Sequence, residues 1–188
     1  MKRSLILFFG ISSAAVLGTA SLIFAGVKLN YFLKSNTPGL RDMADNATFE
    51  GHPFTGLIYQ FHENSRIYKI KFFFAGLQSF TEHRWYDNGV KWEEIEFKSG
   101  KLHGNHRIWY PDGRVKFLKS FHENLPHGEF WGWHPNGVVS DFQYFEQGQE
   151  IAYKSFVSDG KPYYNYVYKD NDRVGMQGGR FCKSVTRQ

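Results

Sequence analysis

From Phe54 onward, apolar and aromatic positions fall in short runs separated by turn signals. Val90 to Phe97, Val115 to Phe121 and Val138 to Phe145 have strand length, and no 3.6-residue period runs through them. Each run follows a turn-forming group, Asp87-Asn88-Gly89, Pro111-Asp112-Gly113 or Pro135-Asn136-Gly137, and a fourth such group stands at Ser158-Asp159-Gly160. Proline presets φ early in a turn, Asn and Asp tolerate left-handed backbone, and glycine adopts φ > 0 without a steric penalty. A second turn closes each run, at Lys98-Ser99-Gly100, Glu123-Asn124 and Gln147-Gly148. Two strands and two turns per unit predict a hairpin, and hairpins in succession predict an antiparallel meander.

The units repeat at a 24-residue step. Trp85, Trp109 and Trp133 share one column; Tyr86, Tyr110 and His134 share the next. Gly89, Gly113 and Gly137 follow, then Phe97, Phe121 and Phe145, then Gly100, Asn124 and Gly148. A degraded earlier unit places Phe61, His62 and Ser65 in these columns, and a later one, a residue shorter, places Phe156, Val157 and Gly160. Trp109-Tyr110-Pro111-Asp112-Gly113 and Gly100-Lys101-Leu102-His103-Gly104 resemble MORN repeats, in particular the bacterial variant in which W-Y-x-N-G alternates with x-G-K-x-H-G. The resemblance covers residues 54–160, with its best units at 81–104, 105–128 and 129–152. It implies an elongated single-layer scaffold or protein-binding surface; the family's bacterial members are often labelled antitoxins or membrane-binding proteins.

The N-terminus reads differently. After Lys2 and Arg3, residues Ser4 to Val27 carry no charge, enough for a membrane-spanning helix or a signal segment. Residues 28–53, rich in Asn, Ser, Thr, Pro, Gly and Asp, read as a linker.

The formal net charge is +5, but residues 27–153 are near balance and the excess sits at the two ends, which argues against a nucleic-acid-coating domain. The single cysteine, Cys182, excludes an intrachain disulfide and multi-cysteine metal sites. With Met176 it makes only a weak soft-metal pair in a basic tail. His103 and His127 recur with the turn and read as turn structure rather than metal ligands. Phe61-His62-Glu63-Asn64 recurs as Phe121-His122-Glu123-Asn124 in a non-equivalent half of the repeat, so it reads as strand-end sequence. Glu94 and Glu96 alternate onto one strand face with Trp92 beside them, a solvated face next to Glu93. No nucleophile–base constellation, nucleotide loop or cofactor motif is present.

The expectation is an all-β fold: an elongated antiparallel β-meander of about five 24-residue hairpin repeats in a single twisted sheet, preceded by an N-terminal apolar helix. Residues 1–27 form a signal peptide or transmembrane anchor, 28–53 a linker, 54–175 the MORN-like repeat domain and 176–188 a basic, glycine-containing tail. The expected function is a non-enzymatic, membrane-tethered or exported scaffold. It uses no cofactor or metal, and binds a protein partner through Trp85, Tyr86, Trp109, Tyr110, Trp133 and His134. A lipid- or glycan-binding module of the cell envelope and an antitoxin-like inhibitor are the alternatives. The expected location is membrane-anchored on the non-cytoplasmic side, or exported if the segment is cleaved. Oligomeric state stays open, because an open meander has two edges.

Overall fold

The computed structural model describes residues 21–24, 27–169, 172–177 and 180–185, with side chains described over 32–169 and 172–175. Every regular element among them is a strand. The first eight are β1 (Ser21–Phe24), β2 (Val27–Lys34), β3 (Leu40–Asp42), β4 (Ala47–Phe49), β5 (His52–Pro53), β6 (Thr55–Phe61), β7 (Ile67–Phe74) and β8 (Leu77–Gln78). Then come β9 (Phe80–Trp85), β10 (Lys91–Lys98), β11 (Lys101–Trp109), β12 (Val115–His122), β13 (Leu125–Pro126) and β14 (Gly128–Trp133). The last are β15 (Val139–Glu146), β16 (Gln149–Phe156), β17 (Pro162–Lys169), β18 (Asp172–Gln177) and β19 (Arg180–Val185).

The result is an elongated, mostly antiparallel all-β protein with two sheets rather than one. The large sheet has 16 strands, running β1-β2-β6-β7-β9-β10-β11-β12-β14-β15-β16-β17-β18-β19, with β8 on β7 and β13 on β12. Among the described strands its one parallel pairing is β2 with β6. The small sheet is β3-β4-β5.

The turns explain why the strands begin where they do. The side-chain Oδ1 of Asn64, Asn88, Asp112, Asn136 and Asp159 each accepts the N–H of the residue two positions on. Such a side chain imitates a turn carbonyl and fixes the chain reversal locally. Gly89, Gly113 and Gly137 then take φ of +87°, +87° and +85°, while Ser65 adopts +64° in the same column without being glycine.

Strict alternation fails beside the first turn of each repeat hairpin. Tyr68, Trp92, Lys116, Ser140 and Tyr163 are each an extra residue, skipped by the pairing between the flanking register partners. A bulge of this kind bends its strand and increases the right-handed twist. Its recurrence at a near-constant step makes the bend a regular feature of the array.

The N-terminal expectations need correction. The end of the apolar run is not helical: Ser21–Phe24 pairs antiparallel with β2, although residues 1–20 lie outside the described residues. No helix among the described residues is long and apolar enough to cross a membrane, so neither the transmembrane helix nor the membrane-anchored location is upheld. Residues 28–53 are not a bare linker either. They carry β3 to β5 and most of β2, and Leu33 and Ala47 join Phe54, Ile58 and Phe73 in the hydrophobic core, with Leu40 and Phe49 packed against it. The Lys71 ammonium, almost fully buried, reaches Asp42 at 3.0 Å and ties the small sheet down. In the expected tail, β19 pairs with β18, so the backbone continues the sheet to Val185.

Candidate binding face

Residues directly paired across neighbouring strands point to the same side of a sheet. One such row reads His83, Glu94, Arg107, Leu118, Trp131, Phe142 and Lys154. Two positions nearer the turns lies a second row on the same side: Trp85 opposite Lys91, Trp109 opposite Val115, and Trp133 opposite Val139. This is the tryptophan face, and its residues are half-buried or exposed.

The opposite side holds Glu82, Ile95, His106 and Lys119 in one row and Arg84, Glu93, Ile108 and Phe117 in the next. The buried residues of the large sheet's middle, Glu82, Glu93, Ile95 and Phe130, all lie here. Arg84 bridges Glu82 at 2.6 Å and Glu93 at 2.7 Å, Gln78 donates to Glu82 at 2.7 Å, and His106 meets Glu93 at 2.7 Å. Burial opposes the Glu93 charge, but the His106 hydrogen bond and the Arg84 guanidinium more than offset it. The carboxyl is thereby held below the usual range. Phe130 packs between Phe121 (ring centroids 5.3 Å) and Phe145 (4.6 Å), which places two members of the expected Phe column in an internal stack. The most buried part of the large sheet's middle is therefore on this side, with Arg84, Glu82, Glu93 and His106 paired inside the sheet.

The six residues singled out in the sequence divide into two roles by position. The Tyr86 hydroxyl donates to the Trp109 carbonyl at 2.8 Å, and the Tyr110 hydroxyl to the Trp133 carbonyl at 2.7 Å. His134 reaches the Phe156 carbonyl at 2.8 Å, and His62 the Trp85 carbonyl at 2.8 Å. A carbonyl only accepts, so both imidazoles carry a proton on Nε2. Four side chains of one column thus fasten each hairpin to the backbone of the next. Asn64, Asn88 and Asn136 add parallel links through Nδ2 to the carbonyls of Asp87, Pro111 and Ser158. Trp85, Trp109 and Trp133, by contrast, lend backbone carbonyls to these links while their rings stay on the tryptophan face.

Around the rings the face changes character along the array. At one end Glu94 is met by Lys91, by His83 at 3.2 Å and by Arg107 at 3.6 Å. Burial works against its charge, yet Lys91 first, then His83 and Arg107, hold the carboxyl below the ordinary range. Lys91 also lies 5.6 Å from the Trp109 ring centroid. Further along, Trp131 packs on Phe142 (4.5 Å) and stacks beside Trp133 (6.4 Å). Between them opens a groove of about 440 Å³ lined by Arg107, Arg114, Val115, Leu118, Trp133 and Gly137.

Trp131, Arg107 and Leu118 were not singled out in the sequence; Trp131 was findable, since a residue two before Trp133 shares its side of a strand. Trp92 departs from its expected place. As the bulge residue it lies against Tyr68, Tyr86 and Arg84, with the Glu93 side rather than with Glu94. His103, His122 and His127 come near one another, with ring centroids 4.9 Å and 6.0 Å apart in sequence. No His, Cys, Asp or Glu cluster among the described residues has metal-holding geometry. Cys182 has no side-chain description, and the soft-metal pair lies outside the described side chains.

No family model matches the chain, and a search of curated proteins finds no match.

Proposed function

We propose that this protein is a non-enzymatic repeat scaffold that binds a protein partner on its tryptophan face, and that its hairpins are MORN-like units, about five in number. One observation carries the reading. The tyrosine and histidine column is consumed in hairpin-to-hairpin links, whereas the adjoining tryptophan column, half-buried, is displayed in register on the outer side. Large rings held rigidly at a partly desolvated surface are what protein interfaces use as anchors. The MORN-like reading rests on the residue columns and the turn grammar, not on a family match.

The test is the double variant Trp109→Ala/Trp133→Ala in the full chain. Loss of partner in pull-down, with an unchanged far-UV circular dichroism spectrum and urea midpoint, is the expected result. Retained capture, or capture lost only because the variant unfolds, would return those rings to a packing role.

A further inference from the structure

The groove between the two halves of the tryptophan face has equivalents one repeat away on either side, and in both the side chains contact one another. One repeat earlier, the positions of Arg107, Val115 and Leu118 are His83, Lys91 and Glu94, and their ion pairs occupy the space over Trp109. One repeat later they are Trp131, Val139 and Phe142, and the two rings close on each other at 4.5 Å. Of these three copies the middle one combines short apolar side chains with long cations, and there the surface opens into a groove of about 440 Å³.

Its floor is apolar. Val115 is 39% exposed, Leu118 lines the groove from the same side of β12, and Trp133 lines it as well. Its rim is cationic. Arg107 touches only one oxygen of Glu94, at 3.6 Å, a carboxylate already bound by Lys91, and the Arg107 guanidinium makes no hydrogen bond among the described residues. Arg114 is held by Asp112 through Nε and Nη2 at 3.0 Å and 2.6 Å, which fixes its guanidinium at the groove's edge. A guanidinium held by one long ion pair and no hydrogen bond beside an apolar slot is matched by a carboxylate one residue away from an apolar side chain.

We infer that this groove receives an acidic extended segment of a protein partner, an apolar or aromatic side chain seated over Val115 and Leu118 against Trp133, with a flanking carboxylate on Arg107. The inference rests on the binding role given to the tryptophan face and specifies the chemistry of what binds there.

The probe is a fluorescein-labelled peptide, acetyl-Asp-Glu-Phe-Asp-Glu-amide, compared with acetyl-Asn-Gln-Phe-Asn-Gln-amide by fluorescence anisotropy on the full chain. The acidic peptide is expected to bind about tenfold more tightly, because the charged contact adds to the same apolar anchor, and to weaken as salt rises. Arg107→Gln should remove about that tenfold preference and leave the amide peptide unaffected. Leu118→Trp should block both peptides without changing any charge, by filling the groove as Trp131 and Phe142 fill its neighbour. Thermal unfolding of each variant checks that the fold survives. Equal binding of the two peptides, binding indifferent to both substitutions, or no binding at millimolar peptide overturns the inference. Those results leave the broader role of the face to the Trp109→Ala/Trp133→Ala pull-down, which reads partner capture without reference to acidity.

Discussion

Replacing Tyr110 with Phe tests whether the hydroxyl links hold the array together. The substitution keeps the ring and its packing, and deletes one hydroxyl that donates to the Trp133 carbonyl at 2.7 Å. A neutral hydrogen bond of this kind contributes about 1 kcal/mol net. The half-buried site lets water reach the released carbonyl, so the loss should fall toward the lower part of the range, about 0.5–1 kcal/mol. In a chain of this size that corresponds to a fall in Tm of roughly 1–4 °C. Tyr86→Phe removes the equivalent link to Trp109 and should behave alike. The two links join different pairs of hairpins, so the double variant should sum the single effects to within about 0.5 kcal/mol. The phenol of Tyr86 adds a pH signature. Burial first, then Asp112 and Glu93, raise its pKa above the ordinary value. An ionised phenol cannot donate, and a folded pKa above the unfolded one means stability present below about pH 10 and lost as pH rises through the folded value. The gap between wild type and Tyr86→Phe should therefore be constant from pH 7 to 9 and close in stronger alkali. Urea midpoints by circular dichroism would measure it. Single variants with wild-type midpoints at neutral pH would refute the idea that these hydroxyls fasten the hairpins.

Glu93→Gln should cost about 1–3 kcal/mol at pH 7, because it strips Arg84 and His106 of a buried partner. The folded carboxyl is depressed, so its contribution is present above its unfolded pKa and lost as pH falls through the folded value. The urea-midpoint difference from wild type should therefore shrink below about pH 4. Asp42→Asn should loosen the small sheet by leaving Lys71 without its anion, at about 3 kcal/mol, and raise hydrogen exchange in residues 40–53 ahead of the rest. Gly104→Ala should destabilise by about 1–3 kcal/mol, because φ there is +107° and a Cβ would overlap the Glu96 carboxylate. Adding Glu96→Ala should relieve only the overlap, and full recovery of the thermal midpoint in that double variant would show the backbone to be unstrained.

The strand-and-turn grammar was legible because its chemistry is local. Asn88 and Gly89 encode a reversal through their own side-chain oxygen and their own φ, and the same pair recurs at Asn136 and Gly137. The bulges were not legible, since the residue a bulge ejects has no preferred chemistry: Tyr68, Trp92, Lys116 and Ser140 share a position and nothing else. Counting by twos therefore put Trp92 on the wrong side of its strand, away from Arg84. The small sheet was hidden for another reason. Strands of two or three residues such as His52–Pro53 are too short to show a period, and what holds them is the long-range contact of Lys71 with Asp42.

The division of labour within the aromatic columns was the least accessible feature. Tyr86 and Tyr110 look like surface aromatics beside Trp85 and Trp109, and their acceptors are backbone carbonyls, which every residue has. Once those hydroxyls are fixed, the spacing between hairpins is fixed by polar contacts rather than by stacking of the tryptophan rings. The residues around the tryptophan column are then free to vary without unfastening the array, which is what the face displays. One repeat holds an ion cluster over its tryptophan, the next an open groove, and the next a Trp131–Phe142 pair. On the proposed binding role, a scaffold whose links lie in one column and whose surface chemistry lies beside it can alter what it binds, repeat by repeat, at little cost to its stability.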